Sequence, residues 1–426
     1  MVDQAQGTGH PASLTSLLHD SRISWDDLHD RYDPLLRLVD AVLGVVPNCD
    51  RYLEIWPPAF RTYNVMVPNL LNLPVPVLGV GGPPPGVVGL AMYVASRSAG
   101  CAYCSAHSCS FAMRRGASPE TLAAALLPDR ETFSRGELAT IAVASSLGRV
   151  PCELTITQKN ALVGEYGERK AEWIALGAVM MGFLNKFMDA VGVELEQPVL
   201  DEVSPTMGAG WSPGKAGADL DPAAPRGPAP PVDGLRSRLR LVPLFPAAIR
   251  WDRRAQRGVP GRWPALGAHL QQHTGHDFAV LDRLQSKRAA RAVATMLCAN
   301  LDPATTLVGL EAKVLAGLTF AAAVENPQLR ADLHALARHL GLDDGLTAAV
   351  AEFAIDDTAL PPTPEPAASA ALVLTRAAAY SPARIDAATV QTCDGVLPPA
   401  AVIEIVTWLS VLQLLHRLTC WVEPPA

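Results

Sequence analysis

The 426-residue sequence lacks an excess of positive charge. It contains 35 Lys and Arg against 42 Asp and Glu, a formal net charge of −7 at pH 7. A chain that binds nucleic acid normally carries a basic stripe, whereas the basic residues between positions 236 and 257 are diluted by Pro, Leu and Trp. We therefore expect no nucleic-acid partner.

The sequence also lacks the signals of export or membrane insertion. Its first residues, MVDQAQGTGHPAS, show neither a positively charged start nor an apolar stretch of the signal-peptide kind. The longest apolar runs, such as WIALGAVMMGFL, fall short of the ~20 residues that span a bilayer, and VIEIVTWLSVLQLL, with Glu404, is typical of a buried helix. We expect a cytoplasmic protein with no membrane partner, whose thiols stay reduced.

Two further patterns are missing: the period-two alternation of strands with hairpin turns, and a phosphate-binding glycine loop followed by Lys. Apolar residues recur instead at helical spacing, for example over 136–148 and 169–192. We therefore predict an all-α fold that uses no cofactor.

A stretch rich in Pro, Gly and Ala divides the chain into two halves. Segments of the first half recur in the second in the same order, as in VVGLAMYVASRSAG (87–100) and LVGLEAKVLAGLTF (307–320), 220 positions apart. This predicts two tandem helical domains, 12–200 and 236–426, related by internal duplication and joined by a linker over 201–235.

Three cysteines and one histidine lie within ten residues, GCAYCSAHSC. At about 100° per residue, a helix places Cys101 and Cys104 on one face, His107 beside them and Cys109 away from them. One rigid helix cannot surround a zinc ion, so a dithiol pair is favoured over a metal site. The preceding SAG places Cys101 at the helix start, where free N–H groups favour a thiolate, and His107 is a candidate base.

The remaining five cysteines are scattered singly among apolar residues, and we expect them to be ordinary small core residues. They are Cys49, Cys152, Cys298, Cys393 and Cys420.

The segment ASRSAGCAYCSAHSCSFAMRRGAS resembles the core motif of the carboxymuconolactone decarboxylase and alkylhydroperoxidase D-like family, SR-x-x-G-C-x-Y-C-x-x-H followed by a turn with Gly. The matching residues are Ser96, Arg97, Gly100, Cys101, Tyr103, Cys104, His107 and Gly116. The resemblance covers about 45–192, and the second half only through the repeat. It implies an all-helical unit that assembles into homo-oligomers, here a trimer or a dimer of the fused chain.

The resemblance also implies a thiol-dependent oxidoreductase that reduces a hydroperoxide or similar small organic oxidant. On this chain Cys104 would react with the peroxide and become a sulfenic acid, Cys101 would resolve it as a disulfide, and His107 would relay protons. An external dithiol would regenerate the pair. Because helix-start geometry favours Cys101 as the more acidic thiol, the order of attack stays open.

Two positions depart from the family pattern. A glutamate that commonly lies twelve residues before the first cysteine is replaced by Gly89, and the histidine position of the common peroxidase pattern holds Ser108. The candidate replacement hydroxyls for the proton relay are Tyr93, Tyr103 and Ser108. At an offset of 220, the second half has no dithiol, since Cys101, Cys104 and His107 align with Ala321, Val324 and Pro327.

Other interpretations stay open. A non-redox decarboxylase-like or specialised biosynthetic enzyme would use His107 in acid–base catalysis, and a non-catalytic assembly protein would use none of these residues. Elsewhere, HLQQHTGH places histidines at i, i+4 and i+7, a weak candidate metal site formed by His269, His273 and His276.

Overall fold

The computed structural model describes residues 13–75, 81–127, 132–208, 211–217, 231–355, 359–363 and 365–424. In these ranges the chain forms α-helices, short 3₁₀ helices and turns, and no β-strand. The predicted all-α class is confirmed.

The described helices of the first half are α1 (Thr15–Leu18), α2 (Trp25–Leu43), α3 (Cys49–Leu53), α4 (Pro57–Leu70), α5 (Pro85–Ser98), α6 (Ala102–Arg114), α7 (Pro119–Ala124), α8 (Arg135–Gly148), α9 (Ile156–Tyr166), α10 (Glu168–Val191) and α11 (Gln197–Met207). Those of the second half are α12 (Leu235–Leu241), α13 (Phe245–Ala255), α14 (Ala265–Thr274), α15 (Lys287–Asn300), α16 (Leu310–Ala323), α17 (Pro327–His339), α18 (Asp344–Ile355), α19 (Pro366–Ala379), α20 (Ala387–Cys393) and α21 (Pro399–Val422). Three 3₁₀ helices join them, at His19–Ser21, Gly214–Gly217 and Ala279–Arg283.

Local sequence sets several helix starts. A capping box opens α8, since Ser134 accepts the backbone N–H of Glu137 while the Glu137 side chain accepts that of Ser134. Thr155 and Gln158 do the same for α9. The helices predicted at 136–148 and 169–192 begin one residue before the predicted start, at 135 and 168.

Five helices of the first half have counterparts of equal length in the same order in the second, whereas the intervening pairs α7 and α18 (6 and 12 residues) and α9 and α20 (11 and 7) differ in length. The pairs of equal length are α4 and α15 (14 residues each), α5 and α16 (14), α6 and α17 (13), α8 and α19 (14), and α10 and α21 (24). The starts of α10 and α21 lie 231 positions apart, and those of α6 and α17 lie 225 apart.

The hydrogen bonds at the α5–α6 and α16–α17 junctions give the register between the halves. The N–H of Cys101 donates to the Ser96 carbonyl, and that of Asn326 donates to the Ala321 carbonyl, both at 3.2 Å. The two junctions coincide at an offset of 225, whereas the sequence segments align at 220, because small apolar residues fill both helices and fix their alignment poorly.

At the offset of 225, the three motif residues align with Asn326, Leu329 and Asp332. The predicted counterparts were Ala321, Val324 and Pro327. The second half still lacks a cysteine pair at this place.

The long helices α10 and α21 pack along each other in the centre of the fold. A Cβ at Gly182 would lie 2.9 Å from the Gln413 carbonyl oxygen, so glycine permits the close approach of the two backbones. At 24 residues each, both are longer than the apolar runs suggested, and by length and composition they could cross a membrane. Their most apolar windows are 94% and 89% buried inside the fold, as expected of core helices.

The two halves interleave around this pair. Helix α4 packs on α15, where the Asn300 side-chain amide donates to the Thr62 hydroxyl at 2.9 Å. The indole N–H of Trp56 donates to the Thr305 carbonyl at 3.1 Å. One core therefore draws residues from both halves.

The predicted linker over 201–235 begins too early. Helix α11 continues to Met207 because Pro198 starts it and Val199, Val203 and Met207 present one buried face at helical spacing. Of the remaining linker, 209–210 and 218–230 lie outside the described residues.

Candidate functional site

Cys101 caps the N-terminus of α6. Gly100 makes the turn from α5 at a φ of 71°, a left-handed conformation that glycine adopts without strain. The Cys101 sulfur then accepts the backbone N–H of Cys104 at 3.3 Å. The structure places this sulfur at the helix start, at the N-cap position of α6.

Cys104 lies one turn further on, and its thiol contacts that of Cys101. Both thiols are free and buried, at 1% and 2% exposure. Burial, followed by the hydrogen bond to Cys101, raises the pKa of Cys104 well above its usual value. A thiol in this environment needs a base to become reactive.

His107 is held by a carboxylate from outside the motif. Its Nε2 lies 2.7 Å from Oε2 of Glu196, the residue that precedes α11. The other oxygen, Oε1, accepts the Tyr103 hydroxyl at 2.9 Å and the backbone N–H of Asn48 at 2.5 Å. Burial raises the pKa of Glu196, but the charge and hydrogen bond of His107 and the Asn48 N–H outweigh it and hold that pKa below its usual value.

The backbone around Gly89 explains why no glutamate stands there. A Cβ at Gly89 would lie 2.6 Å from Cα of Ala112, because α5 and α6 touch at this point. Glu196 supplies a carboxylate to His107 from a different segment. Sequence reasoning missed it, since Glu196 lies 89 positions from His107 and belongs to no motif.

The other candidate relay residues differ in position. Tyr103 lies against His107, with ring centroids 4.5 Å apart. Ser108 donates its hydroxyl to the Cys104 carbonyl at 2.5 Å and so serves the helix backbone. Tyr93 is buried beside Arg97, and burial raises its pKa to about 12. The structure brings Tyr103 to His107 and Glu196, and it places Tyr93 beside Arg97.

A second buried acid lies close to the site. Asp50 is 1% exposed, and neither of its carboxylate oxygens has a hydrogen-bond partner among the described residues. Burial, and then the neighbouring Glu196 and Glu54, raise the pKa of Asp50 to about 8. Beside it, Cys49 forms hydrogen bonds with Tyr63 and Tyr103. The sequence marks Cys49 only as one of the scattered cysteines, and no motif marks Asp50.

The dithiol opens onto a cavity of about 150 Å³. Cys104, Tyr103 and His107 form part of its wall, whereas Cys101 is absent from the lining. Most of the wall is apolar, with side chains from both halves that include Leu38, Met92, Phe111, Met181, Phe245 and Trp251.

Two buried cations lie behind the dithiol, at positions 231 apart. Lys186 donates to the carbonyls of Ala378, Ala379 and Tyr380 at 2.6, 3.1 and 2.5 Å. Arg417 donates to the carbonyls of Ala178 and Gly148 at 2.9 and 3.4 Å. Each side chain thus reaches a helix end in the opposite half.

Both cations interact electrostatically with the Cys101 sulfur, and Arg417 with Cys104 as well. Burial lowers the pKa of Lys186 to about 7 and that of Arg417 to about 10. The second half therefore contributes a positive charge to the dithiol, in the form of Arg417.

The histidines proposed as a weak metal site do not converge. His269 and His273 stack with ring centroids 3.9 Å apart, whereas His276 lies beyond the end of α14 and pairs with Asp332 at 3.0 Å. Throughout the described ranges, no group of three or more His, Cys, Asp or Glu side chains is arranged to hold a metal ion. The Thr-Gly that ends α14 separates the third histidine from the other two.

No protein-family model matches the chain, and no curated protein matches it. Among solved structures it is similar to the apo form of the debrominase Bmp8, at 20% identity and a TM-score of 0.36 over 44% of this chain and 94% of that chain. It is also similar to a variant of Bmp8 in complex with 2,3,4-tribromopyrrole, at 20% identity and a TM-score of 0.37 over 47% and 100% of the two chains. At these TM-scores neither likeness identifies a family.

Proposed function

We propose that this protein is a thiol-dependent oxidoreductase of the alkylhydroperoxidase type. It reduces a hydroperoxide or similar small oxidant through a dithiol–disulfide cycle of Cys101 and Cys104. The observation that carries this proposal is the contact between two buried free thiols at a helix start, one of which, Cys104, lines a cavity together with His107, the partner of Glu196.

In the proposed cycle Cys104 reacts first, because it is the cysteine of the pair that lines the cavity. His107, oriented by Glu196, takes the thiol proton. The thiolate attacks one peroxide oxygen and breaks the O–O bond, and the departing alkoxide takes a proton and leaves as an alcohol. Cys104 is then a sulfenic acid.

Cys101 completes the reaction. Its sulfur attacks the sulfenic sulfur, and the hydroxyl leaves as water with the Cys101 proton, so that a Cys101–Cys104 disulfide remains. The N–H groups of α6, Lys186 and Arg417 stabilise the negative charge on sulfur during this step. An external dithiol reduces the disulfide by exchange and returns both thiols.

The cavity indicates the class of substrate. A cavity of about 150 Å³ holds one molecule of the size of a small aromatic ring. Its apolar wall favours an organic hydroperoxide over hydrogen peroxide.

We propose in addition that the two halves are copies of one helical unit. The support is the series of equal helices in equal order and the shared hydrogen bonds at the α5–α6 and α16–α17 junctions. The second copy has lost the dithiol, contributes Arg417 and α13 to the surroundings of the first, and replaces a contact between separate units. A cytoplasmic homo-oligomer, a trimer or a dimer, fits this proposal.

The test is brief exposure of the reduced protein to cumene hydroperoxide, alkylation of the remaining thiols, and mapping of tryptic peptide 98–114, which contains Cys101, Cys104 and Cys109. We expect rapid loss of two alkylation sites through a Cys101–Cys104 disulfide, its absence in Cys104→Ser, and no change in Cys109→Ser. Full alkylation of all three cysteines after exposure would overturn the proposal.

The second candidate is a non-redox acid–base enzyme, which the hydrogen-bonded set of His107, Glu196 and Tyr103 favours. This set can move protons on an enolisable substrate without a thiol. Substrate turnover that survives Cys101→Ser but not His107→Gln would select this candidate.

A further inference from the structure

A second pair of cysteines joins the two halves. Cys152 lies between α8 and α9, and Cys420 lies near the C-terminal end of α21. Both thiols are free, and they form a hydrogen bond with each other. Cys152 is half-buried and Cys420 is 5% exposed, so that a small reagent has access to Cys152 first.

Contacts on both sides of this pair hold the end of α21 against the α8–α9 connection. On one side, Arg417 donates to the Gly148 carbonyl at 3.4 Å. On the other, the Lys159 ammonium donates to the Val422 carbonyl at 3.0 Å and lies 5.1 Å from the ring centroid of Trp421. The two thiols therefore meet in a packed part of the fold.

The corresponding place in the other half shows the same closeness with different chemistry. At the offset of 231 positions between α10 and α21, and between α8 and α19, Cys420 corresponds to Asp189 and Cys152 corresponds to Ala383. There the Asp189 carboxylate accepts the Ala383 backbone N–H at 2.6 Å. A structural hydrogen bond thus occupies one of these places, and two oxidisable sulfurs occupy the other.

The two sulfurs are unequal. The hydrogen bond from Cys420 lowers the pKa of Cys152, and the Leu154 backbone N–H and the Arg417 charge act in the same direction against burial. The same hydrogen bond raises the pKa of Cys420. Because Cys152 is also the more accessible of the two thiols, it is the nucleophile of the pair, and Cys420 is the thiol that resolves.

We propose that Cys152 and Cys420 are a second dithiol, distinct from Cys101 and Cys104, which small-molecule disulfides oxidise to a reversible disulfide that ties α21 to the α8–α9 connection. The Cys152 thiolate attacks one sulfur of the reagent, forms a mixed disulfide and releases the first thiolate. The Cys420 sulfur, after loss of its proton, attacks the Cys152 sulfur and releases the second. One disulfide is reduced to two thiols while two protein thiols become one disulfide.

The experiment treats the native full-length protein with oxidised glutathione, blocks the remaining thiols with iodoacetamide and maps the tryptic peptides. We expect a cross-linked product of peptides 150–159 and 418–426, which is distinct from the internal disulfide of peptide 98–114. The product should be absent from Cys152→Ser and from Cys420→Ser, and present in the Cys101→Ser/Cys104→Ser double variant. The oxidised protein should melt several degrees higher than the reduced one.

Two controls keep the result specific. Cys298 is also half-buried but burial raises its pKa to about 11, and it should stay alkylated under the same conditions. When the oxidation is carried out in urea, the cross-linked product should not form, because the unfolded chain no longer holds the two sulfurs together. Two results would overturn the proposal. One is that iodoacetamide still alkylates Cys152 and Cys420 after treatment with oxidised glutathione, and the other is a stable glutathione adduct on Cys152 that Cys420 does not displace.

Discussion

The α5–α6 and α16–α17 junctions use one backbone arrangement for two purposes. Gly100 and Glu325 both turn with positive φ, at 71° and 54°. The side chain that follows then caps the next helix, since the Cys101 sulfur accepts the Cys104 N–H and the side-chain Oδ1 of Asn326 accepts the Leu329 N–H. The backbone geometry therefore does not by itself make a reactive site.

The difference lies in what else each cap binds. The Asn326 amide nitrogen also lies 2.9 Å from Nδ1 of His416 and donates to the Thr419 hydroxyl at 2.7 Å, so this residue is fully used in packing. The Cys101 sulfur has the Cys104 thiol as its neighbour. The first cap thus lies beside a second thiol, whereas the second cap lies beside structural hydrogen-bond partners.

The largest effect is expected from Cys101→Asn, which gives the first junction the cap of the second. Asparagine is a good N-cap, so the fold should survive, whereas reduction of cumene hydroperoxide with dithiol as reductant should fall to the background rate. Circular dichroism checks the fold and a peroxide-consumption assay checks the activity. Near-normal turnover in this variant would show that one cysteine suffices.

The next effect concerns the carboxylate that holds His107. Glu196→Gln removes the charge but keeps the shape, and we expect kcat/KM for the hydroperoxide to fall by roughly 100-fold, the lower range for positioned acid–base groups. Glu202→Gln is the matched control, because Glu202 is on the neighbouring helix α11 but binds Ser110 and Arg114. Equal losses in both variants would mean that Glu196 acts through the fold alone.

The sequence was sufficient for the parts that depend on neighbours along the chain. The helix start at Cys101 follows from Ser-Ala-Gly and the cysteine cap, and α8 and α10 follow from apolar spacing. Cys101, Cys104 and His107 lie within seven positions, so their helical geometry could be predicted before the fold was known.

What the sequence could not provide depends on distant contacts. Glu196 reaches His107 from 89 positions away, and Arg417 reaches Gly148 from 269 positions away. Cys152 and Cys420 were expected to be isolated core residues because nothing near either one marks the other. The duplication of the two halves stays a proposal, and the offset of 220 at which their segments were aligned differs from the offset of 225 between the starts of α6 and α17, since alanine-rich helices align equally well at several offsets.

A smaller effect concerns the pH dependence of the unfolding free energy, to which we expect Asp50 in PNCDRYL to contribute and Asp277 in TGHDFAV not to contribute. Burial raises the pKa of Asp50 to about 8, so that its carboxyl stays protonated in the folded protein below this pH. In the unfolded chain the same carboxyl ionises at any pH above the ordinary pKa of aspartate. The folded state then binds the extra proton, so stability is lost as pH rises. The loss should be about 2 kcal/mol between pH 6 and pH 8.

Urea unfolding at a series of pH values measures this slope. Asp50→Asn should flatten it, and the half-buried Asp277→Asn should leave it unchanged. A slope that persists in Asp50→Asn would assign the pH dependence to another group.

The smallest difference is expected between two helical glycines, one in each half. A Cβ at Gly89 would lie 2.6 Å from Cα of Ala112, whereas at Gly317 it would lie 2.7 Å from the Cδ2 methyl of Leu333. The Leu333 side chain can rotate away, but the α6 backbone at Ala112 has to shift. Gly89→Ala should therefore cost about 1–3 kcal/mol of unfolding free energy, and Gly317→Ala distinctly less. Paired denaturation curves decide the order, and a Gly317→Ala cost equal to that of Gly89→Ala would show that α16 and α17 are packed as rigidly as α5 and α6.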